Sequence, residues 1–81
     1  MVLERVKLGL TDHSEGTDKV YMMSIIEQHD GYRVKVKYGR RENVNLTRLK
    51  PSYAVPLDHA KAIFYRTLGQ KLNKGYEEEQ D

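Results

Sequence analysis

The chain has 81 residues, no cysteine and a formal net charge of +2. A chain of this length forms one domain, which buries about 60 to 65% of the surface that its unfolded form exposes. The lack of cysteine excludes a disulfide framework and a thiolate metal site. Charged residues at positions 4, 5 and 7 interrupt the apolar N-terminus and exclude a signal peptide or membrane span there. We therefore predict a single cytoplasmic domain with a thin core and no membrane segment.

The first half of the chain begins with two strand patterns separated by a polar run. Residues 5–10 alternate between apolar and polar side chains, which predicts a half-buried first strand. Residues 11–19 are polar and include Gly16, so we expect a loop there. Residues 20–27 are mostly apolar on both faces of a strand, which predicts a central position in the sheet.

Residues 32–41 show the clearest period of two in the chain. The alternating positions are Tyr32, Val34, Val36 and Tyr38 on one face and Arg33, Lys35 and Lys37 on the other. Asp30 and Gly31 precede this third strand and favour a two-residue hairpin turn, since both tolerate positive φ. Strands two and three are thus predicted to be antiparallel neighbours. Gly39 allows a turn at the strand end, where Arg40 and Arg41 follow.

A fourth strand is predicted at 44–49, stopped by Pro51, and a helix at 57–72. The apolar stripe of this helix consists of Leu57, Ala60, Ile63, Phe64, Leu68 and Leu72. The predicted fold class is α+β: a small twisted antiparallel sheet of four or five strands with one C-terminal helix packed on one face. We expect residues 1–76 to form the domain and 77–81 to be a disordered acidic tail.

The charge is distributed unevenly along the chain. Residues 32–50 contain seven cations and one anion, Glu42, whereas residues 77–81 contain four acidic side chains. A basic face of this kind is typical of proteins that bind a polyanion. A solubilising surface is the alternative that composition leaves open.

The residue types that carry catalysis or bind metals are scattered. His13, His29 and His59 lie in a predicted loop, a turn and a helix start, and no serine stands in a Gly-x-Ser-x-Gly turn. The glycines occur singly, without a phosphate-binding Gly-rich loop. We therefore predict no enzymatic activity, no metal site and no cofactor. Tyr38 and Arg40, on either side of Gly39, are better suited to hold one nucleotide between a ring and a guanidinium.

Five short motifs, in order and spacing, resemble the WGR domain, which occurs in DNA-damage-dependent poly(ADP-ribose) polymerases and in many bacterial proteins. The motifs are TDKVY at 17–21, GY at 31–32, YGRR at 38–41, AxxIF at 60–64 and KGY at 74–76. The resemblance covers residues 3–76 and implies a twisted antiparallel sheet with one packed helix. In the polymerases this domain binds the end of a DNA strand break.

The resemblance also implies roles for particular residues. Tyr38 matches the tryptophan that packs on the terminal nucleotide, and Arg40 matches the arginine that contacts phosphate. Tyr76 matches the aromatic residue of the closing Lys-Gly-Tyr motif, and Asp18 stands where asparagine is usual. Tyr38 offers a smaller stacking face than tryptophan, and the Asp18 carboxylate repels phosphate.

The sequence leads to one main hypothesis. We expect a bacterial, non-catalytic DNA-binding domain that contacts DNA ends or the phosphate backbone through the Tyr-Gly-Arg turn and the basic strand. The candidate DNA-binding residues are Asp18, Tyr38, Gly39, Arg40, Arg41, Lys74 and Tyr76.

Two alternatives stay open. The first is a protein-interaction module whose basic face, or the edge of whose first strand, binds an acidic partner. The second, suggested by the resemblance alone, is a regulatory piece of a larger enzyme.

Overall fold

The structure is a computed structural model that describes residues 2–12 and 14–79. In chain order its elements are β1 (Val2–Asp12), β2 (Thr17–Gln28), β3 (Gly31–Arg40), β4 (Asn43–Val55), α1 (Leu57–Asn73) and β5 (Glu77–Glu79). The strands form one sheet with the order β4-β3-β2-β1-β5, in which every neighbouring pair is antiparallel. The predicted α+β class, an antiparallel sheet with one helix, is confirmed, as is the central place of β2.

The loop between β1 and β2 is much shorter than the loop that we predicted at residues 11–19. Thr11 pairs with Asp18 and Asp12 with Thr17, so the ladder continues almost to the turn. At the outer end of a hairpin, polar side chains stay in water while the backbone N–H and C=O groups of the same residues still pair across the strands. The polarity of residues 11–19 therefore does not show that these residues are unpaired. Gly16, with φ of 67°, reverses the chain. His13, which we placed in this loop, lies outside the described residues.

The hairpin between β2 and β3 is one residue earlier than predicted. Gln28 pairs with Gly31, so the two turn residues are His29 and Asp30, whereas Gly31 begins β3. Positive φ occurs only at glycines within residues 2–12 and 14–79, so Asp30 does not adopt the conformation that we expected. Asp30 instead accepts two hydrogen bonds from the Arg33 guanidinium, at 3.2 and 3.3 Å. The antiparallel pairing of the two strands is confirmed.

The fourth strand passes through Pro51, where we predicted its end. β4 is an edge strand, so a residue without an N–H is tolerated on it. The ladder is also interrupted at this point, because Tyr32 pairs with Val55 but Val34 pairs with Lys50. Pro51 thus lies in a bulge that releases it from pairing with β3.

The helix lies across one face of the sheet, over β2, β3 and β4. The core between them comprises Leu8, Tyr21, Met23, Ile25, Val34, Val36, Val55, Ala60 and Phe64. The predicted helix is confirmed, but its apolar stripe is not fully buried. Leu72 is 46% exposed and Thr67 is buried instead. Leu72 is also absent from the apolar residues that pack against the core cluster.

The chain after the helix is ordered where we predicted a disordered tail. Gly75 N–H bonds to the Leu72 carbonyl and Tyr76 N–H to the Lys71 carbonyl, a Schellman turn in which Gly75 has φ of 104°. The turn directs the chain back to the sheet, where Glu77–Glu79 pairs with β1 as β5. Asp81, the last residue of the predicted tail, lies outside the described residues. Within the described part of the chain, no helix has the length and apolar character to cross a membrane.

Candidate nucleic-acid interface

The two faces of β3 point to opposite sides of the sheet, as its alternation predicts. Val34, Val36 and Tyr38 face α1, and Val34 and Val36 are fully buried against it. Lys35 and Lys37 are exposed on the other face, which the helix leaves open. The basic side of the strand and the Tyr-Gly-Arg turn therefore belong to two separate surfaces.

A cleft of about 430 Å³ lies on the helix side of the sheet, beside the end of α1. We call it the tyrosine cleft. Its lining residues are Lys19, Val20, Tyr21, Val36, Tyr38, Gly39, Arg40, Arg48, Lys71 and Tyr76. Four of these side chains are cations, and none of the described residues that line the cleft carries a carboxylate. The cleft is thus a concave, positively charged surface with aromatic walls.

Three tyrosine rings form the apolar part of this cleft. Tyr21 is buried at 6% exposure, whereas Tyr38 and Tyr76 are half-buried on either side of it. The Tyr21 ring centroid lies 5.9 Å from that of Tyr38 and 6.3 Å from that of Tyr76. These separations are normal for packed aromatic pairs. Tyr21 therefore holds the other two rings in place while each keeps part of its surface open to a ligand.

One cation of the cleft, Lys71, lies close to two of these rings. Lys71 Nζ lies 4.4 Å from the Tyr21 ring centroid and 5.5 Å from that of Tyr76, within cation–π range. Burial raises the pKa of the Tyr21 phenol, Tyr38 and Tyr76 raise it further, and Arg48 opposes the shift. The phenol thus stays neutral at physiological pH, and the charge of the cleft remains that of its lysines and arginines.

Gly39 fixes the geometry between Tyr38 and Arg40. Its φ is 154°, and a Cβ atom built there would lie 2.7 Å from the Asn43 carbonyl oxygen. The register of β3 with β4 shifts between Tyr38 and Arg40, so the chain bends at this glycine. Glycine is therefore needed at this position for both its conformation and its small size.

Arg40 is held weakly. Its Nε donates a hydrogen bond to Glu42 Oε1 at 3.2 Å, with the two side chains 66% and 68% exposed. An ion pair exposed to this degree contributes little, because water and salt screen it. The guanidinium can accordingly exchange this partner for a phosphate.

Arg41, by contrast, forms several hydrogen bonds on the face of the sheet that α1 leaves open. Its Nε donates to Asp18 Oδ1 at 2.8 Å, and Nη1 and Nη2 donate to the Glu79 carboxylate at 3.0 and 2.8 Å. The Arg41 N–H also bonds to the Asp18 carbonyl at 3.0 Å. We call these three residues the Arg41 cluster. It ties β5 to the end of β3, which separates two of our candidate DNA-binding residues, Asp18 and Arg41, from the tyrosine cleft.

Gly9 in β1 provides the space for the Arg41 cluster. A Cβ atom at Gly9 would fall 1.9 Å from Glu79 Oε2 and 2.9 Å from Arg41 Nη2. The bidentate pair of Arg41 and Glu79 therefore lies directly over the backbone of β1. A glycine that looks like a weak point in the strand pattern is in fact needed for this ion pair.

The Arg41 cluster makes the stability of the domain depend on pH. The Arg41 hydrogen bonds hold the pKa of the Glu79 carboxyl below its ordinary value of 4.5. A carboxyl with a lowered folded-state pKa stabilises the fold above 4.5, and this contribution is lost as pH falls through the lowered value. We expect Arg41→Gln to be less stable than the wild type at pH 7, with the difference shrinking below pH of about 4.

Urea unfolding of both proteins at pH 7 and pH 3 measures this effect. Asp12 and Asp30 also have a lowered pKa, through Ser14 and Arg33 respectively, but both proteins share these contributions. A difference between the two proteins that stays constant over the pH range would show that Glu79 is not the titrating partner of Arg41.

The candidate residues are thus divided by the fold. Tyr38, Gly39, Arg40 and Tyr76 come together in the tyrosine cleft. Lys74 caps the C-terminus of α1 with an exposed side chain and does not line the cleft.

Sequence reasoning missed several members of the cleft, among them Tyr21, Arg48 and Lys71. The strand register could have found two of them. Tyr21 pairs directly with Tyr38, and Arg48 pairs with Val36, so both share the face of Tyr38. Lys71 lies in the last turn of α1, and the turn after the helix brings Tyr76 beside it. No local pattern predicts that contact.

Comparison with known proteins identifies the family of the chain. Neither a curated protein nor a solved structure matches the chain. The family model of the WGR domain matches residues 4–81, which is nearly the whole chain and includes β5. Because this match spans nearly all of its residues, the chain belongs to the WGR domain family.

Proposed function

We propose that this domain binds the end of a nucleic-acid strand, with the terminal nucleotide in the tyrosine cleft. The observation that carries the proposal is the convergence of three tyrosines and four cations on one cleft whose described lining has no carboxylate. Membership of the WGR family is compatible with such a role. The proposed activity is binding without catalysis, and we place it in the bacterial cytoplasm.

The parts of the cleft suit the parts of a nucleotide. The half-buried Tyr38 presents a ring that is already held by Tyr21, so a base or sugar can pack on it with little loss of side-chain entropy. Arg40 lies two residues further along the strand and offers a planar guanidinium to the phosphate. Arg48 and Lys71 add positive charge within the cleft. Arg41 and Asp18 are assigned a structural role in this proposal.

Binding of DNA that differs only in its ends tests the proposal. We expect a 5'-phosphorylated blunt duplex to bind more tightly than the same duplex without the phosphate, and a covalently closed circle to bind more weakly than either. If about four phosphates are neutralised, log affinity falls with log salt with a slope of roughly −3 to −4. Equal affinity for all three DNAs would contradict end binding.

Substitutions at Tyr38 and Arg40 separate the two contacts. We expect Tyr38→Ala to weaken end binding by about 5- to 150-fold, the effect of losing one stacked ring. Tyr38→Phe keeps the ring and its packing, so it should retain most of the affinity. Arg40→Gln is expected to remove the preference for a 5'-phosphate. Arg66→Gln is the matched control, because Arg66 is exposed on α1 and does not line the cleft.

Fluorescence anisotropy with labelled duplexes measures each affinity, and thermal unfolding shows whether the variant is folded. If Arg40→Gln and Arg66→Gln bind phosphorylated ends equally well, Arg40 does not contact the phosphate.

A protein-interaction role is supported by a different part of the sheet. β5 pairs with Lys7, Leu8 and Gly9 alone, so the outer edge of β1 before Lys7 has no strand beside it within the described residues. A partner strand could add to that edge. A partner strand at this edge should bind the wild type and Arg40→Gln equally well, whereas the preference for phosphorylated DNA ends should be lost in Arg40→Gln, which distinguishes the two functions.

A further inference from the structure

The face of the sheet that α1 leaves open carries a second cationic surface. Lys7 in β1 and Lys37 in β3 both pair with Met22 of β2, which lies between them. Two residues further along β2, Ser24 pairs with both Arg5 and Lys35. The four cations thus stand in two rows on either side of the central strand. We call this surface the sheet-face groove.

The dimensions of the groove follow from the sheet. Two strands that flank a third are about 9.6 Å apart, and residues two apart on one strand are about 6.7 Å apart. Each row therefore places two cations about 6.7 Å apart, and the two rows are separated by one strand. The cavity between them has a volume of about 360 Å³. The two rows thus place four cations around one open space on the face of the sheet.

The charged side chains that line the groove within the described residues are all cations. None of the described residues that line it carries a carboxylate, and its floor is formed by side chains such as Met22 and Ser24. Lys35 and Lys37 are exposed, and among residues 2–12 and 14–79 neither forms an ion pair. The nearest acidic residue in the register is Glu79, which pairs with Lys7 across β1 and β5. Its carboxylate is held by Arg41, so it neutralises the groove only in part.

The groove and the tyrosine cleft lie on opposite faces of one sheet. Lys37 and Tyr38 are adjacent in sequence, yet their side chains point to different sides. A terminal nucleotide that lies in the tyrosine cleft therefore does not reach the groove on the opposite face. The groove is therefore a surface separate from the cleft.

We propose that the sheet-face groove binds the sugar–phosphate backbone of one nucleic-acid strand, without using an end. A sugar–phosphate chain carries its negative charges on the chain itself and has no N–H groups that need partners. An acidic peptide on the same surface would lie on the face of the sheet rather than at its edge, so it could not gain affinity by adding a strand to the sheet. The absence of aromatic rings among the described lining residues limits the groove to backbone contacts, without base stacking.

A covalently closed single-stranded DNA circle is the probe that tests this proposal, because it has no end for the tyrosine cleft. The double variant Lys35→Gln/Lys37→Gln removes one row of cations, and both side chains are exposed, so the fold should be unaffected. Lys61→Gln/Arg66→Gln is the matched control, with the same charge change on the exposed side of α1.

We expect the Lys35→Gln/Lys37→Gln variant to bind the circle about tenfold more weakly at 150 mM salt, with the salt slope reduced by about 1.4. The control and Arg40→Gln should bind the circle as the wild type does. Arg40→Gln should at the same time lose its preference for phosphorylated ends, so failure of end binding and failure of the groove are seen in separate measurements.

Two results would overturn the proposal. One is an unchanged affinity and salt slope of the Lys35→Gln/Lys37→Gln variant for the circle. The other is tighter binding of poly-glutamate than of the circle at equal charge concentration, with that binding lost in the same variant, because the ligand would then be an acidic protein.

Discussion

Phe64→Ala is expected to lower the free energy of unfolding by about 3–5 kcal/mol. Phe64 is 2% exposed and lies in the core cluster that joins α1 to the sheet. The substitution removes a buried ring and leaves a cavity that the thin core cannot close. A domain of this size has a total stability of about 4–12 kcal/mol, so the variant should be close to unfolding at room temperature.

Urea unfolding monitored by circular dichroism measures this loss, and Leu72→Ala is the control. Leu72 belongs to the same predicted stripe on α1 but is 46% exposed, so its truncation should cost less than about 1 kcal/mol. Similar losses for the two variants would show that α1 is rotated or extended relative to the structure described here.

Gly39→Ala is expected to lower the free energy of unfolding by at least about 2 kcal/mol and to abolish the preference for DNA ends. The added methyl group meets the Asn43 carbonyl oxygen in a backbone conformation that L-residues rarely adopt. The turn must shift to relieve this contact, and Tyr38 and Arg40 shift with it.

Gly69→Ala provides the matched control for this substitution. Gly69 lies within α1, and a Cβ atom there would meet nothing within 4 Å. Alanine should stabilise the helix by up to about 1 kcal/mol, because it has the higher helix propensity. A Gly39→Ala protein that is as stable as the wild type, and still prefers DNA ends, would show that the turn does not set the geometry of the cleft.

The parts of the fold that follow from local periodicity were predictable from the sequence. The alternation from Tyr32 to Lys37 gives the two faces of β3, and the three-and-four spacing around Phe64 gives the helix. Both are short-range consequences of side-chain direction. The Tyr-Gly-Arg turn was recognisable by the resemblance to a family, and the family match confirmed that resemblance.

Features that depend on distant pairs were not predictable. Arg41 meets Glu79 across 38 positions of the chain, so neither the order in β5 nor the need for a glycine at Gly9 is visible in a local pattern. The continuation of β4 through Pro51 depends on its place at the edge of the sheet, which local rules do not supply.

The difference between the two cationic surfaces was also hidden in the sequence. The basic run from Arg33 to Arg41 reads as one site, but the pleat of β3 sends Lys35 and Lys37 to the open face. Arg40 goes to the cleft and Arg41 to an ion pair, although they are neighbours. Net local charge therefore predicted a polyanion ligand without showing which cations act together.

NMR chemical-shift mapping tests the central claim most directly, because it reports which residues sense a DNA end. Backbone amide spectra would be recorded with a short 5'-phosphorylated duplex and with a covalently closed circle. The chemical-shift changes that the duplex causes and the circle does not should fall at Gly39, Arg40 and Tyr76, which line the tyrosine cleft. End-dependent shifts at Lys35 and Lys37, with none at the cleft residues, would contradict the account.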